Sequence, residues 1–237
     1  MSSESLVPVK VNLGCGLTTP EGWINIDGSW NARMSRYPLI RTFLRSIRVI
    51  SSQQASVAWT SNIRFHNLVA PLPFADGSVD CIYASHVLEH LYHDEARRLL
   101  AECLRVLRPH GMIRLVVPDL RAIVLEYLGR GTVGGNTHAD GSATEPPADR
   151  LNRRLMVRTE SRPGGGILHR SYTALYDFHS HKWMYDGESL AVLLQTLGFV
   201  EVEEKRLWES RIPQIRDVEQ EGRVLNGTGV CIEAVRP

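Results

Sequence analysis

The chain has 237 residues, and its 27 lysines and arginines nearly balance its 26 aspartates and glutamates, which leaves a formal net charge of +1. This balance argues against a general nucleic-acid binder, and a hydrophobic fraction of 43% is enough for a large core without disulfide bonds. No apolar run approaches the ~20 residues that a membrane span needs, and the opening MSSESLVPVK lacks the apolar core of a secretion signal. We therefore expect a single cytoplasmic domain over residues 1–237.

The first half of the chain alternates short apolar runs with turn signals. We predict four strands in it, over residues 9–13, 23–27, 63–68 and 79–84. A glycine turn follows the first strand, as is usual at the beginning of a doubly wound domain. Residues 28–62 form an irregular, basic insertion, in which we predict one helix near 39–50.

The middle of the chain continues with a helix and a strand. An apolar stripe over residues 96–107 predicts a helix that is capped by Asp94, and residues 112–117 predict a strand that is buried on both faces. Residues 129–170 are dense in glycine, serine and proline. They predict an inserted lid with one short helix near 148–157.

The last part of the chain closes the predicted sheet. A helix with an apolar stripe ends at Gly198, and residues 200–207 and 229–235 predict two more strands. Alternating strands and helices indicate an α/β fold, with a mostly parallel sheet of seven strands and helices on both faces.

Three features fall at the carboxyl ends of the predicted strands, where ligands bind in open parallel sheets. The first is Gly14-Cys15-Gly16, where the missing Cβ atoms let the backbone approach a ligand closely. Thr19 stands where a dinucleotide fingerprint needs a third glycine, so this turn favours a nucleoside. The second is Asp27, which could accept both hydroxyls of a ribose or form a turn with Gly28. The third is Asn67-Leu68, whose amide oxygen could accept the amino group of adenine.

Three stretches resemble the ordered motifs of class I methyltransferases that use S-adenosylmethionine (SAM): VNLGCGLTTPEGWINID, PLPFADGSVDCIYASHVLEHL and RVLRPHGMIRLVVPDL. The resemblance covers residues 9–128. The later stretch HSHKWMYD is similar to a subgroup found in bacterial surface-polysaccharide and secondary-metabolite pathways. The resemblance implies a Rossmann-like class I methyltransferase fold, with SAM as cofactor and S-adenosylhomocysteine as product.

The resemblance also implies roles for residues at the predicted cofactor site. Gly14 and Gly16 would pass under the amino-acid moiety of SAM, Asp27 would bind the ribose, and position 67 would lie at the adenine. Asn67 stands where the family usually has aspartate, so it keeps an acceptor oxygen without the charge. Ser85 would line the methyl-transfer end. We therefore expect these residues, with the neighbouring Cys15 and Leu68, to bind the cofactor.

Ionisable side chains at two places in the sequence are candidates for a role in catalysis. His86, Glu89 and His90 are spaced i, i+3 and i+4, so on a helix they share one face. His179 and His181 lie in a second cluster at the end of the predicted lid, from which a loop can fold over the pocket.

Three hypotheses remain open for these side chains. In the first, His86 or His181 is the general base for a hydroxyl acceptor. In the second, His86, Glu89 and His90, joined by His179 or His181, hold a divalent metal ion. In the third, the cluster only orders the start of a helix. We favour the base over the metal, and we predict His86, His181 and Glu89 as catalytic residues.

Residues 38–50 form an amphipathic stretch with a basic stripe. Arg41, Arg45 and Arg48 share one face, while leucine, isoleucine and phenylalanine form the other. Such a stripe could contact an anionic membrane surface or a phosphate-bearing substrate. We favour the alternative, a helix that packs on the domain and leaves its basic face in solvent.

The predicted function is SAM-dependent methylation of a hydroxyl group on a small molecule or a glycan. The acceptor class follows from the family resemblance alone. The first alternative is an RNA methyltransferase of the same fold, which the near-neutral charge disfavours. The second is a non-catalytic partner subunit, in which Asp27 or the glycine turn would usually be lost. A nicotinamide oxidoreductase is a third alternative, and Thr19 argues against it.

Overall fold

The computed structural model describes residues 7–29, 62–129, 146–157, 180–227 and 229–237, together with a few isolated residues between 32 and 60. A sheet of seven strands lies at its centre, with β1 at Lys10–Leu13, β2 at Trp23–Asp27, β3 at Arg64–Phe65, β4 at Val79–Ser85, β5 at Leu107–Pro118, β6 at Val200–Lys205 and β7 at Gly229–Val235. The strand order is β3-β2-β1-β4-β5-β7-β6. β7 runs antiparallel to β5 and β6, whereas the other pairings are parallel. This sheet confirms the predicted Rossmann-like, mostly parallel fold.

The described residues include four α-helices, which are α1 at His93–Val106, α2 at Leu120–Tyr127, α3 at Pro147–Leu155 and α4 at Gly187–Leu197. Gly198 ends α4 in the left-handed conformation with a φ of 101°, as predicted. The predicted cap of α1 is wrong, because the helix starts after Tyr92 and Asp94 lies inside its first turn. There, Asp94 pairs with Arg98 one turn further along.

One face of the sheet packs against α1 and α4. Side chains alternate between the faces along each strand. In β4, for example, Ile82 and Ala84 join this core, whereas Cys81 and Tyr83 belong to the opposite face. The helices contribute buried apolar side chains to the same core, among them Ala96, Leu99, Leu100, Cys103, Leu190, Leu193 and Leu194. The apolar stripes of the sequence therefore predicted this layer correctly.

The opposite face of the sheet is covered by residues 206–224, a segment of turns that includes the 3-10 helix Ile215–Asp217. Ile212 and Val218 of this segment are buried against Trp23 and the neighbouring strands. The sequence predicted helices on both faces. In the part of the chain that the structure describes, this segment takes the place of an α-helix on the second face.

Residues 14–22 connect β1 to β2 without a helix, although a parallel crossover usually needs about a dozen residues or more. Two asparagines on the strands bind this short loop. Asn12 Nδ2 donates to the Thr18 carbonyl at 2.9 Å, and Asn25 Nδ2 donates to the Pro20 carbonyl at 3.2 Å. The asparagines also bond to each other at 3.1 Å. The loop therefore lies against the strands and leaves the second face open for residues 206–224.

A buried arginine attaches that segment to the sheet. Arg114 of β5 is fully buried, and it makes two hydrogen bonds to the Glu219 carboxylate, at 2.7 and 2.9 Å. It also donates to Glu233 of β7 at 3.0 Å and to the backbone carbonyls of Arg206 and Glu209, both at 2.9 Å. Burial lowers the pKa of Arg114, but the two carboxylates outweigh this effect and raise the pKa above its ordinary value. The guanidinium is therefore charged and fully paired.

Much of the predicted insertion over 28–62 and of the predicted lid over 129–170 lies outside the described residues. The short helix predicted near 148–157 is confirmed by α3. Most of the basic stretch 38–50 is also outside the description, although its residues 39, 42 and 46 are helical. None of the helices in the described ranges is long and apolar enough to cross a membrane.

We expect Arg114→Leu to lower the free energy of unfolding by about 3–5 kcal/mol, because the Glu219 and Glu233 carboxylates would stay buried without a counter-charge. Urea unfolding followed by circular dichroism measures this loss. Arg98→Leu is the matched control, since it removes the exposed pair with Asp94 and should cost less than about 1 kcal/mol. Equally small losses in both variants would contradict the anchoring role of Arg114.

Candidate functional site

The glycine turn lies at the carboxyl end of β1 and adopts a conformation that favours glycine. Gly14 and Gly16 have φ values of 62° and 53°. A Cβ atom on Gly14 would lie 2.3 Å from the side chain of Val87, so position 14 has no room for a larger residue. Cys15 is buried, and burial together with the charge of Asp27 raises the pKa of its thiol to about 12. The Cys15 thiol is therefore un-ionised near pH 7, and its contact with the cofactor stays a prediction.

Asp27 ends β2 and anchors the glycine turn. Its Oδ2 accepts a hydrogen bond from the Gly16 amide at 2.9 Å, and its Oδ1 accepts one from the Ser29 amide at 2.7 Å. The side chain is only 6% exposed. A carboxylate offers about four lone-pair positions, so each oxygen retains capacity for one ribose hydroxyl.

Asn67 lies beside Asp27 at the same edge of the sheet. The His66 amide donates to the Asp27 carbonyl at 3.2 Å, and a Cβ atom on Gly28 would lie 2.7 Å from the His66 carbonyl. The chain segments that carry the two predicted ligands are thus in direct contact. The Asn67 side-chain oxygen is exposed and accepts one bond from the Val69 amide at 3.1 Å. The side chain of Leu68 belongs to the core, and the predicted contact of Leu68 with the cofactor stays a prediction.

His86 follows β4 and the buried Ser85, and both of its ring nitrogens lie against oxygen atoms. Nδ1 is 2.8 Å from Glu89 Oε1, and Nε2 is 2.6 Å from the carbonyl oxygen of Arg223. Burial lowers the pKa of His86, but the Glu89 carboxylate and the Arg223 carbonyl outweigh it and raise the pKa above its ordinary value. The Arg223 carbonyl can only accept a hydrogen bond, so Nε2 donates to it, while Nδ1 faces the Glu89 carboxylate. Both nitrogens are thus engaged in this arrangement, and the catalytic role of His86 stays a prediction.

Glu89, His90 and His181 come together beside His86. One donor atom from each lies within 4.8 Å of the others, and the rings of His90 and His181 meet edge-on with their centroids 5.0 Å apart. Burial lowers the pKa of His181, and the neighbouring histidines add to this effect against the charge of Glu89. His181 is therefore neutral near pH 7 and can accept a proton or a metal ion.

The loop that carries His181 is bound to the turn Leu88–His90. The Lys182 amide donates to the Glu89 carbonyl and its Nζ donates to the His90 carbonyl, both at 2.7 Å. The two sequence clusters therefore meet, as predicted for His181, whereas His179 lies outside the described residues. Asp119, at the end of β5, accepts from the Arg121 amide at 2.9 Å and caps α2.

Arg223 is a site residue that the sequence did not reveal. It belongs to the 3-10 segment Glu221–Gly227, and its guanidinium lies 3.5 Å from where a Cβ atom of Gly16 would be. Its carbonyl contacts His86, 137 residues earlier in the chain. Arg223 thus brings a positive charge to the glycine turn, where the amino-acid moiety of SAM is expected. No local motif marks it, because long-range packing of residues 206–224 places it there.

Residues 45–115 match the family model of the methyltransferase domain. The matched stretch includes the edge strand β3, the central strand β4, α1 and most of β5, together with His86, Glu89 and His90. This match agrees with the resemblance of the sequence motifs over residues 45–115, which are less than a third of the chain.

Two curated proteins match shorter stretches of the chain. A Mycolicibacterium smegmatis protein named "Probable S-adenosylmethionine-dependent methyltransferase" is 43% identical over 54 residues, which are 23% of this chain and 20% of that protein. An uncharacterized protein of a Streptomyces fradiae transposon is 39% identical over 56 residues, which are 24% of this chain and 16% of that protein. The chain thus spans a fifth or less of the length of these curated relatives.

Among solved structures, a SAM-dependent methyltransferase from Thermotoga maritima is similar with a TM-score of 0.46 and 17% identity. The similarity covers 97% of this chain and 82% of the other.

We expect Gly14→Ala to destabilise the protein more than Gly22→Ala. Both glycines have positive φ values, of 62° and 73°, so both variants carry the backbone strain of roughly 1–2 kcal/mol. Only the alanine at position 14 collides with Val87, whereas position 22 has open space around it, so Gly14→Ala should lose about 1–3 kcal/mol more. Thermal unfolding of the two variants measures the difference, and equal losses would show that the turn can relax away from Val87.

Proposed function

We propose that this chain transfers a methyl group from SAM to a hydroxyl group of a small molecule or a glycan. The observation that carries the proposal is the bond between the Asp27 carboxylate and the Gly16 amide, at the edge where nucleosides bind in such sheets. This bond places the carboxylate that would accept the ribose hydroxyls next to the glycine turn that lets the backbone approach a ligand closely. The methyltransferase-domain match over residues 45–115 supports the reaction class.

The proposed cofactor pose uses four neighbouring groups. Asp27 accepts hydrogen bonds from the ribose hydroxyls, and the Asn67 side-chain oxygen accepts one from the adenine amino group. The turn between Gly14 and Gly16 lies under the methionine part of SAM. The Arg223 guanidinium beside that turn pairs with the SAM carboxylate, as arginine does with carboxylates generally. Ser85 is buried at the end of β4, next in the chain to His86.

The proposed reaction is an in-line displacement. The acceptor oxygen forms a bond to the methyl carbon while the bond between that carbon and sulfur breaks. The electron pair of the broken bond stays on sulfur, which yields neutral S-adenosylhomocysteine. The hydroxyl proton must leave the acceptor, so the site needs either a base or a positive charge near that oxygen. The sulfonium is already activated, so the protein contributes mainly by positioning the two reactants.

We assign the acceptor end of the pocket to Glu89 and His181. Both are buried, and neither the carboxylate oxygens of Glu89 nor Nδ1 of His181 receives a hydrogen bond within the described ranges, apart from the contact of Glu89 with His86. Burial lowers the pKa of His181 and keeps its ring neutral near pH 7, so the ring presents a lone pair to this end of the pocket. His86 takes a positioning role: it holds Glu89 and links it through the Arg223 carbonyl to the cofactor side.

Asp27→Asn should weaken SAM binding at least tenfold, since it removes the charge and one of the two acceptor oxygens that face the ribose. Calorimetric titration of the purified full chain with SAM measures the affinity. Asp80→Asn is the matched control: Asp80 also accepts a hydrogen bond from a backbone amide, that of Val9 at 2.6 Å, but at the opposite edge of the sheet. Unchanged affinity of the Asp27 variant would remove this carboxylate from the site.

Arg223→Gln should weaken SAM binding about tenfold or more and leave binding of 5′-methylthioadenosine unchanged. The second ligand keeps the nucleoside but lacks the carboxylate that Arg223 is proposed to bind. Both affinities can be measured by calorimetry. Arg216→Gln is the control, because Arg216 lies in the same segment but stacks on Trp208 with 4.5 Å between guanidinium and ring. An equal loss for both ligands would mean that Arg223 only supports the fold.

A further inference from the structure

The cluster of Glu89, His90 and His181 has the composition of a metal site. Two of the three residues come from one 3-10 turn, Leu88–His90, and the third comes from the loop before α4. One donor atom from each side chain lies within 4.8 Å of the other two. The three donors are a carboxylate oxygen and two imidazole nitrogens, which are common ligands of divalent transition metals.

Some buried polar atoms of this cluster have no hydrogen-bond partner among the described residues. Glu89 is fully buried, and its contact with His86 engages one oxygen only. The other oxygen, Oε2, has no hydrogen-bond donor within the described ranges, and neither does Nδ1 of the 7% exposed His181. Buried polar atoms are nearly always paired, because desolvation without a partner costs free energy. A cation among these atoms would satisfy both.

We propose that Glu89, His90 and His181 bind a divalent first-row transition-metal ion such as Zn²⁺ or Mn²⁺. Two histidines and a glutamate leave at least one coordination position open, as in catalytic zinc sites. Ligand atoms bound to zinc at about 2.0–2.1 Å in a tetrahedron lie about 3.4 Å apart. The donors of this cluster therefore have to approach one another by roughly 1.4 Å at most, which side-chain rotation can provide.

Neighbouring groups orient two of the three ligands. His90 Nδ1 lies 3.3 Å from the Ser180 carbonyl, which can only accept a hydrogen bond, so the proton belongs on Nδ1 and the lone pair on Nε2. Metal-bound histidines commonly make such a bond with their other nitrogen. His86 contacts Glu89 Oε1 and thereby leaves Oε2 for the ion.

The role of the ion rests on the proposed function. The cluster lies past the end of β4, next to the end of the cofactor pocket where the methyl group is transferred. An ion there would bind the acceptor hydroxyl at its open position and lower the pKa of that hydroxyl. The proton would then leave to solvent, and no side chain would have to remove it. Such an ion would therefore make a general base for the acceptor hydroxyl unnecessary.

The experiment titrates the chelator-treated full chain with Zn²⁺ and with Mn²⁺ by calorimetry, and records the visible absorption of the Co²⁺-loaded protein. We expect one ion per chain. His90→Ala and His181→Ala should each weaken binding at least tenfold and change the Co²⁺ spectrum. His110→Asn is the matched control, since His110 is an exposed histidine with a φ of 61° at the opposite edge of the sheet, and asparagine tolerates that conformation.

Absence of binding by the wild type, or an equal loss in the His110 variant, would overturn the proposal. Circular dichroism of each variant checks its fold, and Glu89→Gln provides a third variant that keeps the size of the side chain. SAM titration of the metal-free protein separates the two claims. SAM binding without metal binding overturns the metal site alone, whereas metal binding without SAM binding supports the site and overturns the proposed function.

Discussion

The paired charge of Arg114 is the interaction on which the candidate site depends. This guanidinium is fully buried in the sheet and holds Glu219 together with the carbonyls of Arg206 and Glu209. It therefore fixes the segment 206–224 against the second face of the sheet. That segment then places Arg223 beside the glycine turn at the carboxyl end of β1. Without Arg114, the carboxylates that it binds would stay buried without a counter-charge. The segment would also no longer hold Arg223, the only described cation beside Gly16, in the candidate site.

The short connection between β1 and β2 also determines how the segment 206–224 packs on the sheet. Because residues 14–22 contain no helix, one face of the central strands is free, and the segment from the end of the chain covers it. Asn12 and Asn25 make the short connection stable by binding its carbonyls. The proposed cofactor pocket thus combines residues from both ends of the sequence: the turn and Asp27 come from the beginning, and Arg223 comes from the end.

The sequence predicted those elements whose signals are local. β1, β2, β4 and β7 follow apolar runs, Gly198 ends a helix, and Asp27 stands at the end of a strand. The features that the sequence did not reveal depend on contacts between distant residues. The Arg223 carbonyl lies against the ring of His86, the candidate base, and nothing near Arg223 in sequence marks it as a site residue. β3 is shorter than predicted, because only two of its residues pair with β2.

We propose that the edge of the sheet around Asp27 and Gly16 binds SAM. Calorimetric titration of the metal-free wild-type chain with SAM, and separately with NADH, tests this proposal directly. We expect saturable one-to-one binding of SAM and no binding of NADH. Binding of NADH in place of SAM, or no binding of either by the folded chain, would contradict it, and the glycine turn with Asp27 would then be only a structural device that closes β1 onto β2.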